Sequence, residues 1–132
     1  MAKTQVDSPP RAQPPEIRAR SFAYALRAIK LYQYLQSQTT GAGWILGRQY
    51  LRAATSIGAN IEEAQSGESR ADFNHKLGIG QKEARGSLYW LRLLAESQIV
   101  PKGQMSPLME ETEELISVVT SIIVSAKRNQ SR

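Results

Sequence analysis

The residues able to carry chemistry are few, and their spacing narrows what they can do. The chain has no cysteine and a single histidine, His75. That excludes thiol catalysis, disulfide scaffolds and thiolate-held zinc or iron–sulfur sites. It also leaves little room for a Ser-His-Asp arrangement. Asp72-Phe73-Asn74-His75 places a carboxylate three residues before the imidazole. A di-iron site in a helical protein needs two such units with further inward glutamates, and no second histidine is present. Asp72 is better explained as a helix-start residue. Gly41-Ala42-Gly43 and Gly78-Ile79-Gly80 lack the Gly-Lys-Ser/Thr that completes a phosphate loop. They read as turn or packing glycines, with a ligand slot at Gly78-Ile79-Gly80 as the alternative. Glu62, Glu63 and Glu83 could be buried acids. Glu63 and Glu83 fall near the apolar seams, where pairing with Arg52, Lys82 or Arg85 is expected. No cofactor and no metal are expected, and no feature compels an enzyme.

Charge is the more informative signal. Seventeen Lys and Arg stand against twelve Asp and Glu in 132 residues, a net charge of +5. Residues 1–61 hold eight basic and two acidic side chains, net +6; residues 62–92 balance; residues 93–132 are net −1. The excess therefore lies on the first half of the chain. Arg18, Arg20, Arg27, Lys30, Arg48 and Arg52 are the candidate phosphate contacts. A face carrying them would gain from counterion release on a nucleic acid backbone. An ordinary solvated basic face is the competing reading.

These side chains must sit on helices. Hydrophobic residues make up 41% of the chain, enough for one core. Helical periodicity predicts four segments, at about 16–38, 44–66, 70–98 and 105–127, and no strand. Gly41 and Gly43 separate the first two, and Gly67 is placed where a left-handed cap would end the second. Ser69 to Asp72 has the form of a capping box before Phe73. Pro101 and Gly103 end the third, and Ser106-Pro107 opens the fourth. Residues 1–15, with Pro9, Pro10, Pro14 and Pro15, are expected to be a disordered tail, 16–128 the helical domain and 129–132 a second tail.

Each segment carries an apolar stripe. It is Phe22, Leu26 and Ile29 in the first and Leu46, Tyr50, Ala53, Ile57, Ile61 and Ala64 in the second. Leu77, Ala84, Leu88, Leu91 and Ala95 follow in the third, and Leu108, Leu115, Val119, Ile122 and Ala126 in the fourth. Short connections predict an all-α, antiparallel up-down-up-down four-helix bundle. Leu51, Ile79, Trp90, Leu93 and Leu94 lie off those stripes, as do Val118 and Ile123. The surplus points to burial against a second copy, with a wide monomer core as the alternative. Gly58, Gly78, Gly80 and Gly86 inside helices suggest close backbone approaches. No apolar run approaches the ~20 residues needed to span a bilayer, and a cytoplasmic location is expected.

The stretch Leu51-Arg-Ala-Ala-Thr-Ser-Ile-Gly-Ala-Asn-Ile-Glu-Glu-Ala-Gln65, then Ser69-Arg-Ala-Asp-Phe-Asn-His-Lys-Leu77, Lys82-Glu-Ala-Arg85, Leu88-Tyr-Trp-Leu-Arg-Leu-Leu94 and Glu113-Glu114-Leu115-Ile116 together resemble one family. It is the bacterial four-helix-bundle proteins encoded by intervening sequences in large-subunit ribosomal RNA genes. The resemblance covers residues 16 to 128. Two departures mark a subgroup: Asn60-Ile61-Glu62-Glu63-Ala64 stands where many members have Asn-Ile-Ala-Glu-Gly, and Leu51-Arg52 where an arginine pair is common. The resemblance implies a homopentamer and a link to nucleic acid. A related branch serves diversity-generating retroelements as an accessory protein that binds a reverse transcriptase and its RNA. The expected function is thus a non-enzymatic oligomeric scaffold for RNA or DNA, or for a partner such as a reverse transcriptase. A protein–protein adaptor without nucleic acid affinity is the alternative.

Overall fold

The computed structural model describes residues 15–130. Residues 1–14 and 131–132, which hold most of the two expected tails, lie outside the described residues. Four helices follow one another: α1 (Pro15–Gln38), α2 (Ala42–Gln65), α3 (Arg70–Glu96) and α4 (Lys102–Gln130). No strand occurs among the described residues. At 1.5 Å per residue the helices are roughly 36–44 Å long.

Helix boundaries follow local chemistry. Between α1 and α2 the chain turns at Gly41, whose φ of 54° a side chain would strain. Gly43 lies inside α2, where a Cβ would collide with the side chain of Thr39. Thr39 in turn donates its hydroxyl to the Leu35 carbonyl at 2.6 Å. The α2 end differs from expectation. Ser66, not a left-handed Gly67, closes it, at φ −102°. Ser69 caps α3 as expected, its hydroxyl accepting the Asp72 N–H at 3.1 Å. The α3 stop is Gln98 in the left-handed region at φ 64°. Beyond that turn α4 begins at Lys102, earlier than the expected 105. Pro107 then sits inside α4 rather than at its first position. The N–H it lacks would have bonded the Gly103 carbonyl. At its other end α4 continues to Gln130, past the expected domain limit at 128.

All four helices contribute to one core, with Ile17, Tyr24, Ala28 and Leu35 from α1 and Tyr50, Ala54, Ile57 and Ile61 from α2. Leu77, Ala84, Leu91 and Leu94 join from α3, and Met105, Leu108, Leu115, Val119 and Ile122 from α4. The expected stripes of α2 and α4 are buried except for Leu46, which is half-buried. Leu88 of α3 is likewise half-buried. The α1 stripe is corrected outright. Phe22, Leu26 and Ile29 are exposed, because the inward face of α1 steps through Ile17, Tyr24, Ala28 and Leu35.

The close approaches include the expected Gly58 but also Gly47, and they leave out Gly78, Gly80 and Gly86. A Cβ at Gly47 would lie 2.9 Å from Leu35 Cδ1, and one at Gly58 would lie 3.3 Å from Ser21 Oγ. These two let α1 and α2 pack tightly. Gly78 and Gly86 face open space, and Gly80 makes only ordinary contact with α2.

The hydroxyls of Tyr24, Tyr50 and Thr112 inside the core are satisfied. Thr112 donates to the Leu108 carbonyl at 2.8 Å, so its oxygen must accept from Tyr24, 2.6 Å away. Tyr50 donates to Tyr24 at 3.0 Å. Each hydroxyl has one proton, and the relay Tyr50 to Tyr24 to Thr112 to Leu108 uses each once. Burial raises the pKa of both phenols, most strongly that of Tyr50, so they stay protonated donors.

Candidate nucleic-acid interface

The six cations singled out in the sequence do not share one face. Arg18 turns toward α2, where its Nη2 donates to Glu62 Oε1 at 2.8 Å and its Nε to Oε2 at 3.2 Å. This fork raises the arginine pKa and holds the Glu62 carboxyl below the ordinary range. Arg20 turns toward α4. Its Nε and Nη2 donate to the two Glu111 oxygens at 2.8 and 3.0 Å, with Glu114 at 3.7 Å. Both guanidinium groups therefore already hold a carboxylate with two parallel bonds. A phosphate would have to displace it.

Arg27, Lys30, Arg48 and Arg52 are different. All four are exposed, and none forms an ion pair among the described residues. Arg48 and Arg52, one turn apart on α2, flank a groove of about 610 Å³ whose walls include Ile29, Ile45, Leu51 and Thr55. Thr55 also borders a neighbouring depression lined by Phe22, Ala25 and Gly58. Arg27 and Lys30 lie on the other flank of α1, beside Tyr34 and against Gln104, Met105 and Leu108 of α4. Arg27 also borders the acidic row Glu110, Glu111, Glu113 and Glu114. The α2 pair is thus the cationic site remote from that row.

The expected interface residues divide as well. Leu51 is half-buried in the groove wall; Ile79, Trp90 and Leu93 are half-buried on α3. Leu94 is fully buried. It belongs to the protomer's own core and cannot meet a second copy, since it lies on the inward face beside Leu91 and Ala95. The large apolar side chains left open are mostly elsewhere: Phe22, Leu26, Ile29, Tyr34, Trp44 and Ile45 on α1 and α2. The first three belong to the expected core stripe of α1, whereas Ile45 and Trp44 belong to no expected stripe or interface. Phe22, Leu26 and Ile29 share a face of α1, but Ile17, Tyr24, Ala28 and Leu35 form its inward one.

The acids are likewise re-sorted. Glu63 pairs with Lys76 at 2.6 Å instead of an interior arginine, and Glu83 forms no ion pair among the described residues. His75 is exposed. Among the described residues no group of three or more His, Cys, Asp or Glu could hold a metal ion, and no helix is long and apolar enough to cross a membrane.

The family model described as 23S rRNA-intervening sequence protein matches residues 15–121. The chain belongs to that family. The match spans α1 to α3 and most of α4, so it includes every cation discussed above. A solved structure from Bacteroides thetaiotaomicron, described as a protein with unknown function from the S23 ribosomal protein family, superposes with a TM-score of 0.76. The two are 37% identical over 81% of this chain and 97% of that one. No curated protein matches the chain.

Proposed function

We propose that this family member is a non-enzymatic, cytoplasmic, basic scaffold that self-associates and binds RNA or DNA, or a nucleic-acid-handling partner such as a reverse transcriptase. The observation that carries the reading is the state of Arg48 and Arg52: exposed, without a carboxylate partner among the described residues, and set on the rim of an open groove. Two arginines held one helical turn apart suit phosphate oxygens of one strand. Contacts of this kind position a backbone and read no bases. The family description, which ties its members to ribosomal RNA genes, supports the same direction.

The scaffold we propose is an antiparallel up-down-up-down bundle. Pairings across α1 and α2 support it: Arg18 meets Glu62, Tyr24 meets Tyr50, and Leu35 meets Gly47. One set of numbers rises as the other falls. We further propose a homopentamer, by likeness to the family. The open apolar side chains of α1 and α2 favour burial against another copy. Five copies would carry about 25 net positive charges on one particle, enough to attract a polyanion from a distance.

Anisotropy titration of a labelled RNA oligonucleotide tests the function. Arg48→Glu with Arg52→Glu should weaken binding by at least tenfold at low salt, and the wild-type affinity should fall steeply with added salt. Absent or salt-independent binding by the wild-type protein would overturn the reading. Light scattering tests assembly, and a monomer at micromolar concentration would remove the oligomer. The groove also favours a second reading, a protein–protein adaptor using Phe22, Ile29 and Ile45. Under that reading the arginine reversals leave partner capture intact and no oligonucleotide binds.

A further inference from the structure

The outward face of α3 carries a second set of cations that the balanced charge of residues 62–92 conceals. Lys82, Arg85 and Arg92 are exposed, and none forms an ion pair among the described residues. Steps of three, four and three residues place Lys82, Arg85, Tyr89 and Arg92 on one side of the helix. The stripe is about 15 Å long, the reach of a few nucleotides. Nearby acids are turned away or engaged. Glu83 is half-buried on another side of α3, and Glu96, one turn beyond Arg92, pairs with Lys102 at 3.6 Å.

Tyr89 stands in the middle of this stripe, 53% exposed. Its ring is held by an edge contact with Trp90, centroids 5.2 Å apart at 66°. Helical side chains lean back over the preceding turn. The residues there are Arg85 and Gly86; the glycine has no side chain, and a Cβ on it would meet nothing within 4 Å. The face one turn before Tyr89 is therefore open at Gly86, and half of the Tyr89 side chain is exposed beside it. A glycine in mid-helix costs stability, and packing within the protomer gives no reason for this one.

We propose that Lys82, Arg85, Tyr89 and Arg92 form a second nucleic-acid contact that takes a single strand, with one base stacked on Tyr89 and the cations on the flanking phosphates. An aromatic platform among cations favours unpaired bases, because a duplex keeps its bases stacked on each other. The site rests on the reading that this protein binds nucleic acid and adds which form it prefers and where.

The experiment compares a single-stranded RNA 12-mer with the duplex of the same length, by anisotropy on the full chain. Tyr89→Ala should weaken single-strand binding about tenfold, the size expected when one base loses its stacking platform. The duplex should bind as before, and Tyr89→Phe should restore the single strand. Arg85→Gln with Arg92→Gln should lower affinity and flatten its salt dependence. Circular dichroism of each variant confirms that exposed positions were changed without loss of the fold. Equal single-strand affinity in wild type and Tyr89→Ala would overturn the stacking site while leaving the Arg48 and Arg52 reading intact. A wild-type protein that binds neither oligonucleotide would overturn both.

Discussion

The seam between α2 and α3 and the seam between α1 and α4 hold one fold together by different physics. At the first, Ile57 and Ile61 face Gly80 across a distance at which a Cβ would touch the Ile57 carbonyl at 3.6 Å, and Leu77, Ala84 and Leu91 add apolar burial, with a single surface ion pair, Glu63 to Lys76, among the described residues. At the second, a hydroxyl relay and a guanidinium fork do the joining: Tyr24 to Thr112 inside and Arg20 to Glu111 nearer the surface. A depression of about 240 Å³ remains beside them. Apolar burial scales with area and is indifferent to salt, whereas the polar seam depends on protonation, geometry and screening. The difference locates where this fold should yield first.

The contrast can be broken at either seam. Ile57→Ala, at a fully buried position, removes atoms that cannot be replaced and should cost about 3–4 kcal/mol in urea unfolding. Tyr24→Phe takes the middle out of the relay, leaving the Tyr50 proton without its acceptor. A loss of about 1–2 kcal/mol is expected, and Thr112→Val should behave alike. The Arg20 and Glu111 side chains are 35% and 20% exposed, so solvent screening limits them. A double-mutant cycle with Arg20→Gln and Glu111→Gln should give a coupling of less than about 1 kcal/mol that shrinks in high salt.

The smallest effect belongs to Arg18 and Glu62, a fork of the same form at the surface of α1 and α2. The Glu62 carboxyl is held below its unfolded-state value by the hydrogen bonds from Arg18. Its contribution is therefore present above the ordinary carboxylate range and is lost as pH falls through the lowered folded value. Glu62→Gln should make the acid limb of the stability curve slightly shallower. A variant steeper than wild type would reverse the assigned sign.

The four helices were legible in the sequence because Gly41, Ser69 and Pro101 punctuate strong periodic stretches. Tertiary features were harder to read. Phe22, Leu26 and Ile29 are larger than Ala28 and looked like the core, yet what decides burial is the facing helix, where Gly47 and Gly58 admit a close-packed partner. Pro101 and Gly103 marked the α3 stop to within about two residues, but the left-handed turn at Gln98 and the early α4 start carried no signal. Four of the six candidate cations stayed open, but nothing local in the sequence tells Arg18 and Arg20 from Arg48 and Arg52. Their acids come from residues 44 and 91 positions away. The α3 stripe was missed for a related reason. A segment's net charge averages over all its faces, and Glu62, Glu63, Glu68, Asp72 and Glu83 cancel cations they do not touch on that face.

The central claim is that open arginines, and not those already holding a carboxylate, grip the phosphate chain. Its most direct test is the slope of log affinity against log salt for a single-stranded RNA. Arg48→Gln with Arg52→Gln should reduce the magnitude of that slope by about 1.4, roughly 0.7 for each phosphate no longer neutralised. Removing the neutral pair together, Arg18→Gln with Glu62→Gln, should leave it unchanged. Identical slopes for the wild type and the Arg48, Arg52 variant would contradict the account.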